Sequence, residues 1–276
     1  MTFRYARRYC GPIQAVIVDW AGTTVDFGCL APVQAFQDTF QAAGITLNRD
    51  EVRGPMGLGK RAHIEALLAD SAIAQRWQSA HGQPPVESDT DTLYRNFIPR
   101  QLALVSRRCE LIPGWDTALA RLRASGIRIG ANTGYSRDML EPLLAAAAKE
   151  GYAPDSSVCA DDVPKARPGP GMALLNAMQL GVDSVTACVK VDDTPPGIEE
   201  GLAAGMWTVG VAVSGNEVGL DLAEWQELCT TEQQRLREKA SRRLHAAGAH
   251  MVIDSVADLP AAVASVEERL ARGERP

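Results

Sequence analysis

Residues 13–24, IQAVIVDWAGTT, join an apolar segment of strand character directly to an acidic residue and a Gly-Thr turn. Asp19 therefore stands at the carboxyl end of the predicted strand. In open α/β sheets this edge binds the ligand, because strand ends and helix amino-termini meet there in a crevice. We predict that Asp19 is a nucleophile or a metal ligand; an aspartate in this place is also a common helix N-cap.

Short apolar segments alternate with longer helical patterns along most of the chain, which is typical of a mainly parallel sheet flanked by helices. The strands predicted after the first are 127–132, 157–160, 185–191, 207–213 and, at the edge, 251–253. Helices are predicted at 115–124, 137–149, 171–180 and 196–204, several of them closed by a glycine. The charged segment 217–245 predicts a solvated helical face. The predicted fold class is α/β, with a Rossmann-like core.

The alternation stops between Gly28 and Arg108. All the periodic segments there are helical, namely 32–43, 60–69, 71–81 and 91–105. This predicts an all-helical cap of residues 28–108, inserted into a discontinuous core of residues 1–27 and 109–276. Both connections of the cap lie beside the strand ends, so we expect it to open and close over the crevice.

The composition excludes several classes of partner. The 276 residues include 28 Lys and Arg against 34 Asp and Glu, which offers neither a nucleic-acid surface nor a polybasic membrane patch. The first nine residues lack the apolar segment of a leader and no stretch is long enough to span a bilayer, so we predict a cytoplasmic protein. The six cysteines have no metal-ligand spacing and are predicted to be free thiols. Cys29 is either a core residue or part of the site.

Two later strands also end in polar residues, Thr133-Gly134 and Asp192-Asp193-Thr194. The Thr133 hydroxyl and the close backbone approach that Gly134 allows suit a phosphate or phosphonate group, although this pair also fits a simple turn. Asp193 and Asp19 together offer carboxylate oxygens for a hard cation such as Mg²⁺. Arg167, forked and permanently charged, is a better phosphate ligand than Lys165, which is interpreted as a surface lysine.

The order of these motifs resembles the haloacid dehalogenase-like superfamily, whose members transfer phosphoryl groups through an aspartyl-phosphate. From residue 13 to about residue 254 the chain resembles the phosphonatase family of that superfamily, on the segments 19–26, 28–29, 55–60, His63, 133–135, 161–168 and 205–211. The resemblance implies hydrolysis of the P–C bond of phosphonoacetaldehyde to acetaldehyde and phosphate, in the degradation of 2-aminoethylphosphonate. It also implies a homodimer that uses Mg²⁺.

The resemblance assigns roles to individual residues. Asp19 is the nucleophile, Lys60 forms an imine with the substrate, and His63 carries protons. The metal ligands are Asp19, Asp193 and the carbonyl of Ala21. The residues implied to bind the substrate or its phosphoryl group are Thr23, Cys29, Met56, Thr133, Gly134, Tyr135 and Arg167. The chain lacks the further acid that often follows the DDT motif, so either Asp192 compensates or the metal affinity is lower.

Ala21 separates this interpretation from the alternative of a phosphate-ester phosphatase or phosphomutase on the same scaffold. Phosphatases of the superfamily carry a second aspartate here, which protonates the departing alcohol. Its absence favours a leaving group activated in another way, such as a protonated imine at Lys60 that accepts the electrons of the P–C bond. Lys60 and His63 share one helical face, and burial beside positive charge would lower the pKa of Lys60 toward the working pH.

Residues 54–60 also match the G-x-x-x-x-G-K portion of a nucleotide-binding P-loop. Arg61 stands where that motif needs Ser or Thr, and residues 48–53 are charged and unlike a strand, so nucleotide binding is disfavoured. A catalytically silent binding module is disfavoured too, because the residues that the chemistry requires are all present.

Overall fold

The computed structural model describes residues 9–105 and 107–276. Its centre is a six-stranded parallel sheet in the order β3-β2-β1-β4-β5-β6. The strands are β1 (Ala15–Val18), β2 (Arg128–Thr133), β3 (Ser156–Cys159), β4 (Cys188–Asp192), β5 (Trp207–Val211) and β6 (Met251–Ile253). This is the Rossmann strand order, so the predicted fold class is confirmed.

The position of β1 determines where the site lies. All residues of β1, β4 and β5 are buried, as expected for strands of a parallel sheet covered by helices on both faces. Because β1 pairs with β2 on one side and with β4 on the other, the residues after these three strands meet at one edge. The strand order reverses beside β1, and ligands bind in the crevice at such a point.

The described residues between Gly28 and Arg108 form helices and no strand, as predicted. The helices are α1 (Leu30–Ala42), α2 (Arg49–Arg53), α3 (Lys60–Ala69), α4 (Ser71–His81) and α5 (Glu87–Val105). Helix α2 was not predicted, because it is short and mostly charged; a capping box between Asn48 and Glu51 holds its first turn. The division of the chain into a cap of residues 28–108 and a discontinuous core stays a prediction.

The rest of the described chain supplies the helices that cover the sheet. These are α6 (Trp115–Ala124), α7 (Arg137–Lys149), α8 (Gly171–Gln179), α9 (Pro195–Ala203), α10 (Leu222–Glu227), α11 (Thr230–Ala246) and α12 (Leu259–Ala271). No helix in the described residues is long and apolar enough to cross a membrane.

Two predicted elements differ from the structure. Val185–Ala187 is a 3₁₀ turn rather than the start of a strand, because the Ser184 hydroxyl accepts a hydrogen bond from the Thr186 amide. The segment 217–245 contains two helices, since the chain is extended at Leu228 and Cys229. Helix α12 was missed altogether. Its buried residues, Leu259, Ala262, Val263, Val266 and Leu270, recur at helical spacing, so the sequence pattern did carry the signal for this helix.

The two connections between the sheet and helices α1–α5 run side by side just beyond Asp19. Val25 forms a bridge with Leu111, and the Asp26 amide donates a hydrogen bond to the Glu110 carbonyl. A carboxylate oxygen of Asp26 accepts a hydrogen bond from the Ala31 amide in the first turn of α1. The helices therefore leave and rejoin the sheet at the edge that carries the strand-end acids.

Candidate active site

Residues at and after the ends of β1, β2 and β4 meet the loop before α3 around one small cavity. All the predicted site residues except Thr23 and His63 line it. The lining residues are Asp19, Ala21, Cys29, Pro32, Met56, Gly57, Leu58, Lys60, Thr133, Gly134, Tyr135, Arg167, Asp193 and Thr194.

Asp19 and Arg167 form a buried ion pair at the base of the cavity. Arg167 Nη2 lies 2.6 Å from Asp19 Oδ1 and 2.8 Å from Asn132 Oδ1. Burial raises the pKa of Asp19 to about 6, although the Arg167 charge acts in the opposite direction. The pair places a carboxylate and a forked cation in contact at the end of β1, which is the arrangement that attack on a bound phosphoryl group requires.

Asp193 lies beside Asp19, and two hydrogen bonds hold its carboxylate. The Asn216 amide donates to Asp193 Oδ2 at 2.8 Å, and the hydroxyl of Thr23 donates to Asp193 Oδ1 at 3.2 Å. Thr23 is fully buried behind Asp193 and does not line the cavity, so its contact is with the acid. Burial, Asp19 and Asp192 raise the pKa of Asp193 well above its ordinary value. A cation between Asp19 and Asp193 would relieve this repulsion.

The oxygens of Asp19, Asp192 and Asp193 lie within 4.8 Å of one another. Asp192, however, already has other partners: Lys190 Nζ at 2.6 Å, Thr194 Oγ1 at 2.7 Å and Arg167 Nη2 at 3.0 Å. Burial would raise the pKa of Asp192, but the two cations lower it overall. The residues therefore fit a hard divalent cation held by Asp19 and Asp193 beside Ala21, with Asp192 as an anion that organises the neighbouring cations. Mg²⁺ as the metal stays a prediction.

The loop before α3 rests directly on the strand-end loops. A Cβ added at Gly57, whose φ is +96°, would lie 2.3 Å from Thr194 Oγ1, and one at Gly134 would lie 2.9 Å from the Leu58 carbonyl oxygen. Thr133 ends β2, and its hydroxyl accepts a hydrogen bond from the Tyr135 amide at 3.2 Å. The Thr133-Gly134 pair thus forms a turn and also lines the cavity. The simple turn and the place beside a bound group are therefore compatible, and phosphate binding by this pair stays a prediction.

Lys60 is the first residue of α3 and is 6% exposed. Burial lowers the pKa of its amine, and Arg167 acts in the same direction, whereas Cys29 and Asp19 oppose the shift. The positive end of the α3 dipole further disfavours an ammonium here. Lys60 Nζ lies 5.2 Å from the centre of the Tyr135 ring and 5.6 Å from that of Phe36. In this apolar niche the lowered pKa favours the neutral amine, which is the form that attacks a carbonyl carbon.

His63 lies one turn along α3, on the far side of this niche from the cavity. Its Nε2 lies 2.9 Å from the Val52 carbonyl oxygen, and its ring centre is 3.9 Å from that of Phe36. Burial, and then the Lys60 charge, lower the pKa of His63 well below its ordinary value. The carbonyl contact makes Nε2 the protonated nitrogen, and Nδ1 has no partner among the described residues. A role in carrying protons stays a prediction for this neutral ring.

Other predicted residues take these places. The Cys29 thiol is buried and lines the cavity, so it packs and borders the site at once, and burial raises its pKa well above the ordinary value. Lys165 is exposed, as predicted. Helix α2, rather than a strand, precedes residues 54–60, which rules out P-loop geometry there. No disulfide joins any of the described cysteines, as predicted.

Sequence reasoning missed a set of buried residues that do not line the cavity but contact the residues that do, or the loops that support them. Glu200 and Asn132 contact Arg167, and Lys190 contacts Asp192. Arg53 on α2 reaches the loop that carries Asn216. Asn132 could have been found, because it directly precedes Thr133 in the predicted strand end. Lys190 also stands out, as a charge inside a predicted buried strand. Glu200 and Arg53 lie within helices, where nothing in the local pattern separates them from surface charges.

Comparisons with known proteins identify the family of this chain. A family model described as a haloacid dehalogenase-like hydrolase matches residues 13–205. A phosphonoacetaldehyde hydrolase of Hahella chejuensis is 51% identical over 276 residues, which covers 100% of this chain and 94% of that protein. One from Klebsiella pneumoniae is 51% identical over 266 residues, or 96% of this chain and 99% of that protein.

Among solved structures, a phosphonoacetaldehyde hydrolase-like protein from Oleispira antarctica matches with a TM-score of 0.98 at 52% identity, over 100% of both chains. The chain is therefore a hydrolase that belongs to the haloacid dehalogenase-like family and, within it, to the phosphonoacetaldehyde hydrolases.

Proposed function

We propose that this hydrolase cleaves the P–C bond of phosphonoacetaldehyde through an imine at Lys60 and an aspartyl-phosphate at Asp19. The observation that carries the proposal is the shared cavity: a buried amine with a lowered pKa and a buried carboxylate paired with an arginine line the same small space. Ala21 also lines it, in the place where an ester phosphatase would need its general acid.

Lys60 activates the two-carbon fragment of the substrate. Its neutral amine adds to the aldehyde carbon, and loss of water gives a protonated imine. This cation accepts the electron pair of the P–C bond when the bond breaks, so the two-carbon fragment departs as a neutral enamine. The aromatic rings of Phe36 and Tyr135 present their faces to the position of the cation.

The residues at the strand ends bind the phosphoryl group and attack it. A carboxylate oxygen of Asp19 attacks phosphorus, the P–O bond forms as the P–C bond breaks, and an aspartyl-phosphate results. Arg167, Thr133 and the backbone at Gly134 bind the phosphoryl oxygens. Mg²⁺, held by Asp19, Asp193 and the Ala21 carbonyl, would supply further neutralisation of phosphoryl charge when bound.

Two hydrolyses complete the cycle. Water cleaves the aspartyl-phosphate to phosphate and free Asp19. The enamine takes up a proton at carbon to become an imine again, and water releases acetaldehyde and the amine of Lys60. His63, one helical turn from Lys60, is the proposed proton carrier for these steps.

The test is acetaldehyde release from phosphonoacetaldehyde with Mg²⁺, coupled to alcohol dehydrogenase, beside an aryl phosphate ester. We expect turnover of the phosphonate alone. Borohydride added with the substrate should reduce the imine and leave a mass adduct on the peptide that contains Lys60, whereas Lys60→Arg should show neither turnover nor adduct. Turnover of the ester alone, or full activity of Lys60→Arg, would contradict the proposal.

The same proposal assigns the enzyme to the degradation of 2-aminoethylphosphonate and predicts a homodimer. Light scattering at the concentration of the assay tests the homodimer, because a fully active monomer would contradict it.

A further inference from the structure

We propose that Glu200 is a positioning residue that sets the orientation of Arg167 for phosphoryl binding. The inference rests on the function proposed above, in which Arg167 binds the phosphoryl group. Glu200 lies within α9, is 0% exposed, and is absent from the lining of the cavity. It therefore acts through Arg167 and does not touch the substrate.

Both oxygens of the Glu200 carboxylate have defined donors. Arg167 Nε donates to Oε2 at 2.9 Å, while Asn132 Nδ2 donates to Oε1 at 3.0 Å and the Ala173 amide donates to Oε1 at 3.1 Å. Lys190 Nζ lies 3.7 Å from Oε2. A buried carboxylate with three hydrogen-bond donors and a nearby ammonium has one stable orientation, because turning it would leave several of the donors without an acceptor.

This orientation fixes the plane of the guanidinium. Glu200 accepts from Nε of Arg167, and Asn132, itself held by Glu200, accepts from Nη2 at 2.8 Å. Two neighbouring donors of one rigid planar group are thus tied to one carboxylate, directly and through an amide. Arg167 on its own could rotate about its terminal bonds; with these contacts it presents the same face to the cavity.

Charge gives a second reason for Glu200. Arg167 also contacts Asp19 at 2.6 Å and Asp192 at 3.0 Å. Asp19 is consumed when it becomes the aspartyl-phosphate, so its contact with the arginine changes during the cycle. Glu200 and Asp192 take no part in bond formation, and they keep the buried guanidinium paired at every stage.

Glu200→Gln removes the charge with little change in volume, and Glu199→Gln is the matched control, because Glu199 is an exposed neighbour on the same helix. The probe is inorganic phosphate, measured by calorimetry with Mg²⁺. We expect the Kd of Glu200→Gln to rise about 10- to 100-fold, the cost of weakened hydrogen bonds to a charged group, and that of Glu199→Gln to stay unchanged. An unchanged Kd in folded Glu200→Gln would overturn the proposal.

A double-mutant cycle with Arg167→Lys separates positioning from general stability. If Glu200 acts through Arg167, the two substitutions together should weaken phosphate binding little more than Arg167→Lys alone. Independent, additive losses would contradict the assignment. The rate of borohydride trapping at Lys60 should stay close to that of the wild type in Glu200→Gln, since the amine lies on the other side of the cavity.

Folding is checked by thermal melting before binding is measured. If Glu200→Gln does not fold, Glu200→Asp keeps the charge but draws the oxygens back, and weaker phosphate binding in that folded variant supports the proposal. Failure of both variants to fold would assign Glu200 to stability and overturn it. A wild-type enzyme that binds phosphate but does not hydrolyse phosphonoacetaldehyde would instead contradict the proposed function. The effect of Glu200 on phosphate binding would still be decided by the Kd values.

Discussion

The cavity has two unlike faces. The strand-end face is formed by charged and polar groups, Asp19, Thr133, Arg167 and Asp193. The helical face is formed by Met56 and Lys60, and the rings of Phe36 and His63 pack behind the Lys60 amine. On the first face each described charge has a counter-charge or a donor within about 3 Å. On the second, a single amine lies among rings and a neutral imidazole.

The difference follows from what each face has to bind. A phosphoryl group carries negative charge throughout the reaction, so fixed cations and donors that need no rearrangement stabilise it best. An amine that attacks a carbonyl has to be neutral first, and an apolar niche lowers its pKa by disfavouring the ammonium. Under the proposed mechanism the enzyme needs opposite electrostatic surroundings within one cavity, and the chain obtains them from separate elements.

The largest expected effect comes from removing the reactive group of either face. Asp19→Asn and Lys60→Arg should each reduce turnover of phosphonoacetaldehyde on the order of 10⁴-fold or more, as the loss of a covalent nucleophile does elsewhere. They should differ in what survives. Asp19→Asn keeps the helical face, so borohydride should still trap the substrate on Lys60, while Lys60→Arg should trap nothing.

Mass spectrometry of the trapped protein measures this difference. Loss of trapping in folded Asp19→Asn would show that the two faces do not work independently, and the comparison would fail.

The second largest expected effect is a loss of stability on replacing Arg53, which connects helix α2 to the loop that supports Asp193. Arg53 on α2 donates to the carbonyl oxygens of Gly28 and Gly219, at 2.9 and 2.7 Å, and to both oxygens of Asn216. Asn216 in turn donates to Asp193. Arg53→Met leaves these buried acceptors unpaired, and we expect it to lower the free energy of unfolding by about 3 kcal/mol or more.

Arg49→Met is the matched control on the same helix. The Arg49 side chain is 53% exposed and its ion pair with Glu224 is on the surface, so its loss should change the free energy of unfolding by less than about 1 kcal/mol. Urea unfolding of both variants measures the effect. Equal losses would mean that the Arg53 contacts do not hold the faces together.

A smaller effect, a shift in pH dependence, tests the helical face alone. Because burial lowers the pKa of Lys60, its amine becomes neutral at a lower pH than an exposed lysine, whose pKa is about 10.4. Trapping of acetaldehyde on Lys60 by borohydride should therefore rise with pH and level off at a lower pH than trapping on the side-chain amine of free Nα-acetyl-lysine. Parallel pH profiles for Lys60 and the free amine would contradict an apolar niche.

The strand-end face was largely predictable from sequence, and the physical reason is local. An apolar strand that ends in Asp19 or in Asp192-Asp193 brings its acid to the edge of the sheet whatever the rest of the fold does, because parallel strands share that edge. The resemblance then added Lys60, which an amphipathic pattern alone would leave on a helix surface.

The supporting contacts could not be predicted in this way. Glu200 reaches Arg167, and Arg53 reaches Asn216, across long separations in sequence, and each looks like an ordinary helix charge until the fold brings its partners together. The same holds for Thr23, which lies behind Asp193 rather than in the cavity. Packing at long range decides these positions, and sequence periodicity carries no record of it.

The smallest expected effect isolates the ring that faces Lys60. Phe36→Leu removes one of the two aromatic faces near the amine while it keeps an apolar side chain. The protonated imine is a cation, and a ring face stabilises such a cation by about 0.5–2 kcal/mol, so kcat for phosphonoacetaldehyde should fall about 2- to 30-fold. The Kd of phosphate should not change, because the strand-end face is untouched.

Phe40→Leu provides the control, since Phe40 is buried on the same helix and, among the described residues, the rings that face the Lys60 amine are those of Phe36 and Tyr135. Both substitutions remove a buried ring, so both should lower the melting temperature, but only Phe36→Leu should lower kcat at saturating substrate. An equal fall in kcat for the two variants would mean that the helical face acts through packing alone. A lower kcat with unchanged phosphate binding for Phe36→Leu would instead show that the rings stabilise the imine cation while the opposite face handles the phosphoryl charge.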